Sequence, residues 1–151
     1  MRIELSNEIF FAEVERMIGE GQRVTIPVKG FSMRPIMRSA KDKVTLTAHS
    51  DKDIKIGAVM LFKHKGHHIM HRIAGIDGNK ITFAGDGNYR IYEQASREDI
   101  VAVVTSIIRP SGLIISLDSR RWRLYSAIWL TLPQIVRRYI LGVANKLKLW
   151  I

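Results

Sequence analysis

AVMLFKHKGHHIMHRIAGIDGNKITFA, residues 58–84, is the stretch whose reading decides the fold. Ala58 to Lys63 is an apolar run of strand length. His68 to Ile76 is a second such run, and Lys65-Gly66 between them is a turn signal, so the two read as a hairpin. Gly78-Asn79 marks the next turn, and Lys80 to Ala84 follows as another strand.

Working outward, Ile100 to Ile108 is strongly β-branched and reads as a core strand. Pro110-Ser111-Gly112 is a turn, and Leu113 to Leu117 is a final short strand. Upstream, Val24, Ile26 and Val28 alternate with Thr25 and Pro27, and Lys43 to Thr47 places Val44 and Leu46 on one face. The proline puts the first of these at an edge or a strand end. Asp51 to Gly57 is rich in turn residues. Residues 87–98 are polar and read as a loop. Before all of this, Phe10, Val14, Met17 and Ile18 fall at helical spacing over residues 7–18, with Ser6 or Asn7 as cap and Gly19 and Gly21 as the stop. The pattern predicts a mostly β domain with one N-terminal helix.

From Ser119 the periodicity becomes helical. Trp122, Tyr125, Ile128, Trp129 and Leu132 form one apolar stripe, and after Pro133 the residues Ile135, Tyr139, Ile140 and Val143 form another. Proline breaks or kinks the helix between them. Residues 1–118 are expected to form the β domain and residues 119–151 a basic amphipathic helical tail.

The chain has 151 residues, no cysteine and a net charge of +10. Disulfides, thiol nucleophiles and thiolate metal sites are thereby excluded. Residues 109–151 hold eight bases against the single acid Asp118, so +7 of the excess belongs to the tail. The basic tail suggests an acidic partner, either anionic lipid, nucleic acid or an acidic protein, and its plainer reading is a solvated charged face on a helix. The helical tail has the character of an interfacial helix pair with basic flanks, and the other reading is a helix packed on the β domain. No secretory signal is read at the N-terminus, and no window reaches the ~18–20 apolar residues of a spanning helix. The expected location is cytoplasmic or peripheral at the inner membrane surface.

Three polar residues carry the chemistry. Gly30-Phe31-Ser32-Met33-Arg34-Pro35 sets a serine between a glycine, which frees the backbone, and a proline, which restricts it. Serine becomes nucleophilic only with a base in hydrogen-bond reach. His71 is the candidate base, and Asp86, after Gly85 at a strand end, is the candidate orienting carboxylate. Each has a plainer reading: Ser32 and Asp86 as turn residues, His71 as a half-buried strand histidine. His64, His67, His68 and His71 cluster, but His67 and His71 lie ~13 Å apart along a strand at ~3.3 Å per residue, so no metal is expected. No cofactor is expected either.

These segments resemble the signal peptidase family of serine endopeptidases, in particular the branch found in the endoplasmic reticulum and archaea. The family's G-x-S-M-x-P box is matched by Gly30, Ser32, Met33 and Pro35. Its His-Arg box is matched by His71-Arg72, and its Gly-Asp-x-Asn box by Gly85, Asp86 and Asn88. Gly57-Ala58-Val59-Met60 resembles the family's G-D-I-V strand start, with Ala58 in place of the acid. The resemblance covers roughly residues 24–108. It implies a twisted antiparallel β fold and endoproteolysis through an acyl-enzyme. Ser32 is then the nucleophile, His71 the base and Asp86 its orienter, while Gly30, Phe31, Met33 and Pro35 frame the substrate and the oxyanion. The family's second aspartate is absent from Tyr89 to Glu93, and Glu93 is a poor positional substitute. Removal of a leader from a dedicated precursor therefore fits better than general signal-peptide cleavage.

Two further readings stand beside this one. A self-cleaving repressor-type regulator would use a lysine base, with Lys41 and Lys43 as candidates. A non-catalytic module would use the basic tail to bind membrane or nucleic acid, nucleic acid being the less favoured partner.

Overall fold

A computed structural model describes residues 6–30, 32–88 and 90–148. The chain runs α1 (Asn7–Gly19), β1 (Val24–Pro27), β2 (Lys43–Thr47), β3 (Val59–His64), β4 (His67–Asp77), β5 (Lys80–Ala84), β6 (Tyr92–Ser96), β7 (Ile100–Ile108), β8 (Ile114–Ser116), α2 (Arg120–Thr131) and α3 (Gln134–Lys146). The eight strands form one curled antiparallel sheet in the order β1-β2-β7-β3-β4-β5-β6, with β8 pairing β7. β7 pairs along one side with β2. Its other side is shared between β3, at the start of the strand, and β8, at its end.

The expected mostly β fold with an N-terminal helix and C-terminal helices is the fold observed. Ser6 caps α1 through its hydroxyl, which accepts from the Ile9 N–H. Pro133 separates α2 from α3, and Leu132 before it is extended, as a residue preceding proline prefers.

The run Val59–Phe62 is apolar at every position because β3 is covered on both faces. Val59 and Leu61 enter one core with Val44, Leu46, Val104 and Ile107. Met60 and Phe62 enter a second with Ile73, Ile81 and Phe83. Phe62 stacks on Phe83 with ring centroids 3.8 Å apart. The ladder slips by one residue at Leu46, at Phe62 and around Ala74. Such bulges bend a strand and add to its twist, which curls the sheet around its two cores.

One element departs from the sequence reading. Residues 92–96, expected within a loop, form β6, paired with β5 from Lys80↔Ser96 to Ala84↔Tyr92. Tyr92-Glu93-Gln94-Ala95-Ser96 lacks apolar alternation because β6 is an edge strand whose outer side meets water. Main-chain pairing, not burial, holds it to the sheet.

α1 is fastened to the β3–β4 hairpin by a polar cluster. Glu15 receives His68 Nε2 at 2.6 Å and Lys63 Nζ at 3.0 Å, and Phe11 stacks on the His68 ring. Partial burial pushes the Glu15 carboxyl up, but the hydrogen bonds from His68 and Lys63 outweigh it and hold the acid below its ordinary range. A lowered carboxylate pKa stabilises the fold above the unfolded-state value and stops doing so as pH falls through the folded value. Glu15→Gln should therefore lower stability at neutral pH by about 1 kcal/mol or less. The gap from wild type should close under acid conditions, below the ordinary carboxylate range. Urea titrations across pH check this, and a pH-independent gap would contradict it.

Candidate active site

Ser32 stands in the long connection from β1 to β2. Two methionines root that connection: Met33 and Met37 are buried in the core beside Val28 and Val44, and the Met37 N–H donates to the Met33 carbonyl. Asp42 closes its far end. This fully buried carboxylate accepts from the Arg38 N–H at 2.7 Å, from the Arg38 guanidinium at 3.1 Å and from Arg109. Gly30 has φ +82°, a conformation open to glycine at little cost. Its N–H donates to Ser39 Oγ at 3.0 Å. The Arg34–Pro35 peptide bond is cis. Ser32 is left half-buried between these anchors, and its carbonyl accepts from the Gly87 N–H at 2.7 Å.

His71 lies in β4, buried, opposite Met60 of β3. Its Nδ1 is 2.8 Å from Glu93 Oε2. An ionised carboxylate can only accept, so Nδ1 carries a proton, and in the neutral ring Nε2 is then the acceptor. Gly85, next in register beyond Arg72↔Ala84, lies under Nε2. A Cβ added there would be 2.9 Å from His71 Nε2 and 2.5 Å from the Ser32 carbonyl oxygen. The serine segment and the imidazole are thus separated by the width of one missing side chain. Glycine is required here by close approach, not by an unusual φ.

Ser32 and His71 line one cleft of about 330 Å³, walled by Val28, Lys29 and Gly30 on one side and by Ile69 and Met70 on the other. Met33 belongs to its floor and also to the core. Of the residues expected to frame an oxyanion, Gly30 spends its amide on Ser39 and Pro35 has none to give. The amides of Ser32 and Met33 remain as candidate donors. Phe31 lies outside the described residues. Lys41 and Lys43, the alternative bases, are exposed and do not line the cleft.

Asp86 does not take the place expected of it. Its carboxylate is buried against Arg72, with Arg72 Nε to Oδ1 at 2.7 Å and Nη2 to Oδ2 at 2.6 Å. Tyr125 adds its hydroxyl to Oδ2 at 3.2 Å. The reason is the period of a strand: His71 and Arg72 are neighbours and so point to opposite faces. Gly85 falls on the histidine side and Asp86 on the arginine side. The carboxylate that meets His71 is Glu93, which reaches it from β6. Position along the chain makes Glu93 a poor substitute, but β6 carries it to His71. With β6 in place, Glu93 pairs with Phe83, which pairs with Ile73 on the His71 face.

The Arg72 guanidinium also donates from Nη1 to the Gly57 carbonyl at 3.1 Å and to Ser126 Oγ. Gly57, at φ +92°, lets α2 come close: an added Cβ would lie 3.1 Å from Ser126 Cβ. Burial, and then the Asp86 charge, push the Tyr125 hydroxyl well above its ordinary pKa. A second cavity of about 310 Å³ lies between α2 and the sheet, with Asp53, Lys55, Asp118 and Arg123 among its polar lining. Among the described residues, no group of three or more His, Asp or Glu side chains is arranged to hold a metal ion.

The two carboxylates should separate by experiment. Asp86→Asn leaves a buried guanidinium without its counter-charge and should cost about 3–5 kcal/mol of stability, read by chemical denaturation, while His71 keeps its tautomer. Glu93→Gln should cost much less stability and redistribute the His71 ring between its two tautomers, read from imidazole nitrogen shifts. The reverse pattern would return the orienting role to Asp86.

No protein-family model matches the sequence, and no curated protein matches it. The reading of the cleft rests on its geometry and on the order of the motifs that build it.

Proposed function

We propose that the protein is a serine endopeptidase that cleaves a leader or signal segment from a precursor protein. The observation that carries this reading is the serine–histidine cleft, in which the one buried imidazole has its Nδ1 held by a carboxylate and its Nε2 turned toward the serine segment. That order of groups is what nucleophilic acyl transfer needs.

Ser32 Oγ attacks the scissile carbonyl carbon while His71 Nε2 takes its proton. The amides of Ser32 and Met33 stabilise the negative charge that develops on the carbonyl oxygen, each worth ~3 kcal/mol. Collapse of the tetrahedral intermediate breaks the C–N bond. His71 returns the proton to the leaving amine, and an acyl group remains on Ser32. Water, deprotonated by the same imidazole, then attacks the acyl carbon; the ester C–O bond breaks as His71 returns the proton to Ser32 Oγ, and the acyl group leaves as a carboxylic acid that ionises. Glu93 keeps the imidazole in the tautomer that can accept at Nε2 and stabilises the imidazolium between the two transfers.

The substrate lies extended in the cleft. In the segment continuing from edge strand β1, Val28 spends its N–H and carbonyl on Asp42 and Ala40, and Gly30 its N–H on Ser39, so Lys29 is the candidate for strand addition. Val28, Ile69 and Met70 give the cleft walls an apolar part, beside the polar Lys29 and His68. Small residues beside the cleaved bond are what the resemblance to signal peptidases implies. Glu93 supplies on β6 the acid missing from the segment that follows Gly85-Asp86.

The test is cleavage of candidate precursor peptides followed by mass spectrometry. Ser32→Ala and His71→Ala should each abolish cleavage at folded-protein concentrations that give complete wild-type turnover. Glu93→Gln should lower kcat by up to about 10⁴-fold. Gly85→Ala should also lower kcat, since its Cβ must displace the Ser32 carbonyl or the imidazole. Cleavage that survives in Ser32→Ala would overturn the assignment.

A further inference from the structure

An amphipathic helix of a water-soluble domain buries its apolar face and solvates its charges. α3 does the reverse. Its inward positions include Arg137, only 7 % exposed, and Ala144. Arg137 Nη2 donates to the Leu130 carbonyl at 2.7 Å, which fastens α3 to the end of α2. Outward stand Ile135, Val136, Tyr139, Ile140, Val143 and, at the C-cap, Leu147, with Ile135 62 %, Tyr139 69 % and Val143 56 % exposed. At about 100° per residue these six cover one unbroken arc of roughly 140°. On α2, Leu124 and Ile128 are likewise exposed, beside Arg120 and Arg121.

The charge pattern says what covers this face. From Arg120 to Lys146 there are six basic residues and no acid. Five of the six, all but Arg137, are exposed. On the same helical projection Lys146 falls about 20° inside one margin of the apolar arc and Arg138 about 60° outside that same margin. A second copy of this chain would set like charges against one another, whereas an anionic surface meets both the apolar arc and its basic margin. Neither helix can cross a bilayer: among the described residues no helix is long and apolar enough, and 13 residues of helix span only about 20 Å. Apolar side chains on one side, basic residues alongside and insufficient length describe a helix that lies in the plane of the headgroups.

We propose that α2 and α3 form a docking surface for an anionic lipid bilayer. Ile135, Tyr139 and Val143 are immersed at the boundary of headgroups and acyl chains, and Arg138 and Lys146 contact anionic headgroups. The surface uses no residue of the Ser32–His71 cleft, so it stands or falls independently of the peptidase reading.

The experiment is flotation of the full chain with phosphatidylcholine vesicles, with and without phosphatidylglycerol. Wild type should float with the anionic vesicles, bind neutral ones at least tenfold more weakly, and lose affinity as salt rises. Ile135→Ser with Val143→Ser, both exposed, should retain the wild-type circular dichroism and lose at least tenfold in binding. Arg138→Gln with Lys146→Gln should weaken anionic binding by about fivefold per charge removed. Failure of the wild type to bind anionic vesicles would overturn the proposal, as would unchanged binding by the serine double variant. A wild-type dimer in sedimentation velocity that the serine double variant converts to monomer would assign the face to a second copy instead and overturn it as well.

Discussion

Arg72 and Asp86 form a bidentate ion pair with almost no contact with water, and four segments of the chain meet on it. Taking two such charges out of water costs several kcal/mol per ion, and only good geometry with further hydrogen bonds offsets it. Both conditions hold. Asp86 accepts from Nε and Nη2 of Arg72 and from the Tyr125 hydroxyl. Arg72 Nη1 is taken up by the Gly57 carbonyl and Ser126 Oγ. The rings of Trp122 and Tyr125 lie 4.8 Å and 5.3 Å from the guanidinium carbon, a cation–π contact strengthened by desolvation. The pair thereby joins β4, the turn before β3, the turn after β5 and α2. Lysine could not replace Arg72, since a point charge lacks the planar fork that serves Asp86 and Gly57 together.

The cleft depends on this pair without containing it. Asp86 fixes the turn in which Gly85 supports His71 and Gly87 donates to the Ser32 carbonyl. Arg72 fixes the middle of β4, from which His71 projects. Two adjacent residues therefore divide the work by the pleat of the strand: Arg72 organises one face, and His71 is left to the other. Glu93 can serve His71 because β6 adds one more strand on the histidine side, while Gly85, lacking a side chain, makes room for the Ser32 carbonyl and His71 Nε2.

Much of the architecture was legible because burial writes itself into the sequence with a period. The two-faced apolar run of β3, the β-branched β7 and the capped α1 all appear at nearly their observed bounds. β6 was not legible, since an edge strand held by its main chain needs no apolar alternation. Losing β6 cost the site its carboxylate, because Glu93 acquires its position from pairing with β5 and from nothing in its local sequence. Asp86 was misassigned for a related reason. Spacing along the chain brings it near His71-Arg72 but does not say which of the two it meets, and strand alternation favours the arginine. Asp42, which binds Arg38 and Arg109 under the serine loop, left no sequence signal beyond being one more acid near a turn. In the tail, the apolar stripe of α3 is visible in the sequence, but nothing there separates Arg137 from Arg138. Only the position of α3 against Leu130 separates the buried arginine from the exposed one and shows that the apolar stripe faces away from the protein.

α2 links these two parts of the molecule. Its inner side completes the shell of Arg72 through Trp122, Tyr125 and Ser126, and its outer side carries Arg120, Arg121, Leu124 and Ile128. Among the described residues the buried Trp122 indole N–H has no acceptor, and the ring is held by packing and by the guanidinium over its face. An element attached in this way cannot shift far without exposing a buried ion pair, and that penalty makes α2 a rigid mount rather than a tether. α3 hangs on the same mount through Arg137 and the Leu130 carbonyl. Whatever covers the outward face of the helices is thereby held at a fixed orientation to the cleft, because both are referred to one guanidinium. For an enzyme acting on precursors near a bilayer, that shared reference would set the height and direction from which an extended chain reaches Ser32.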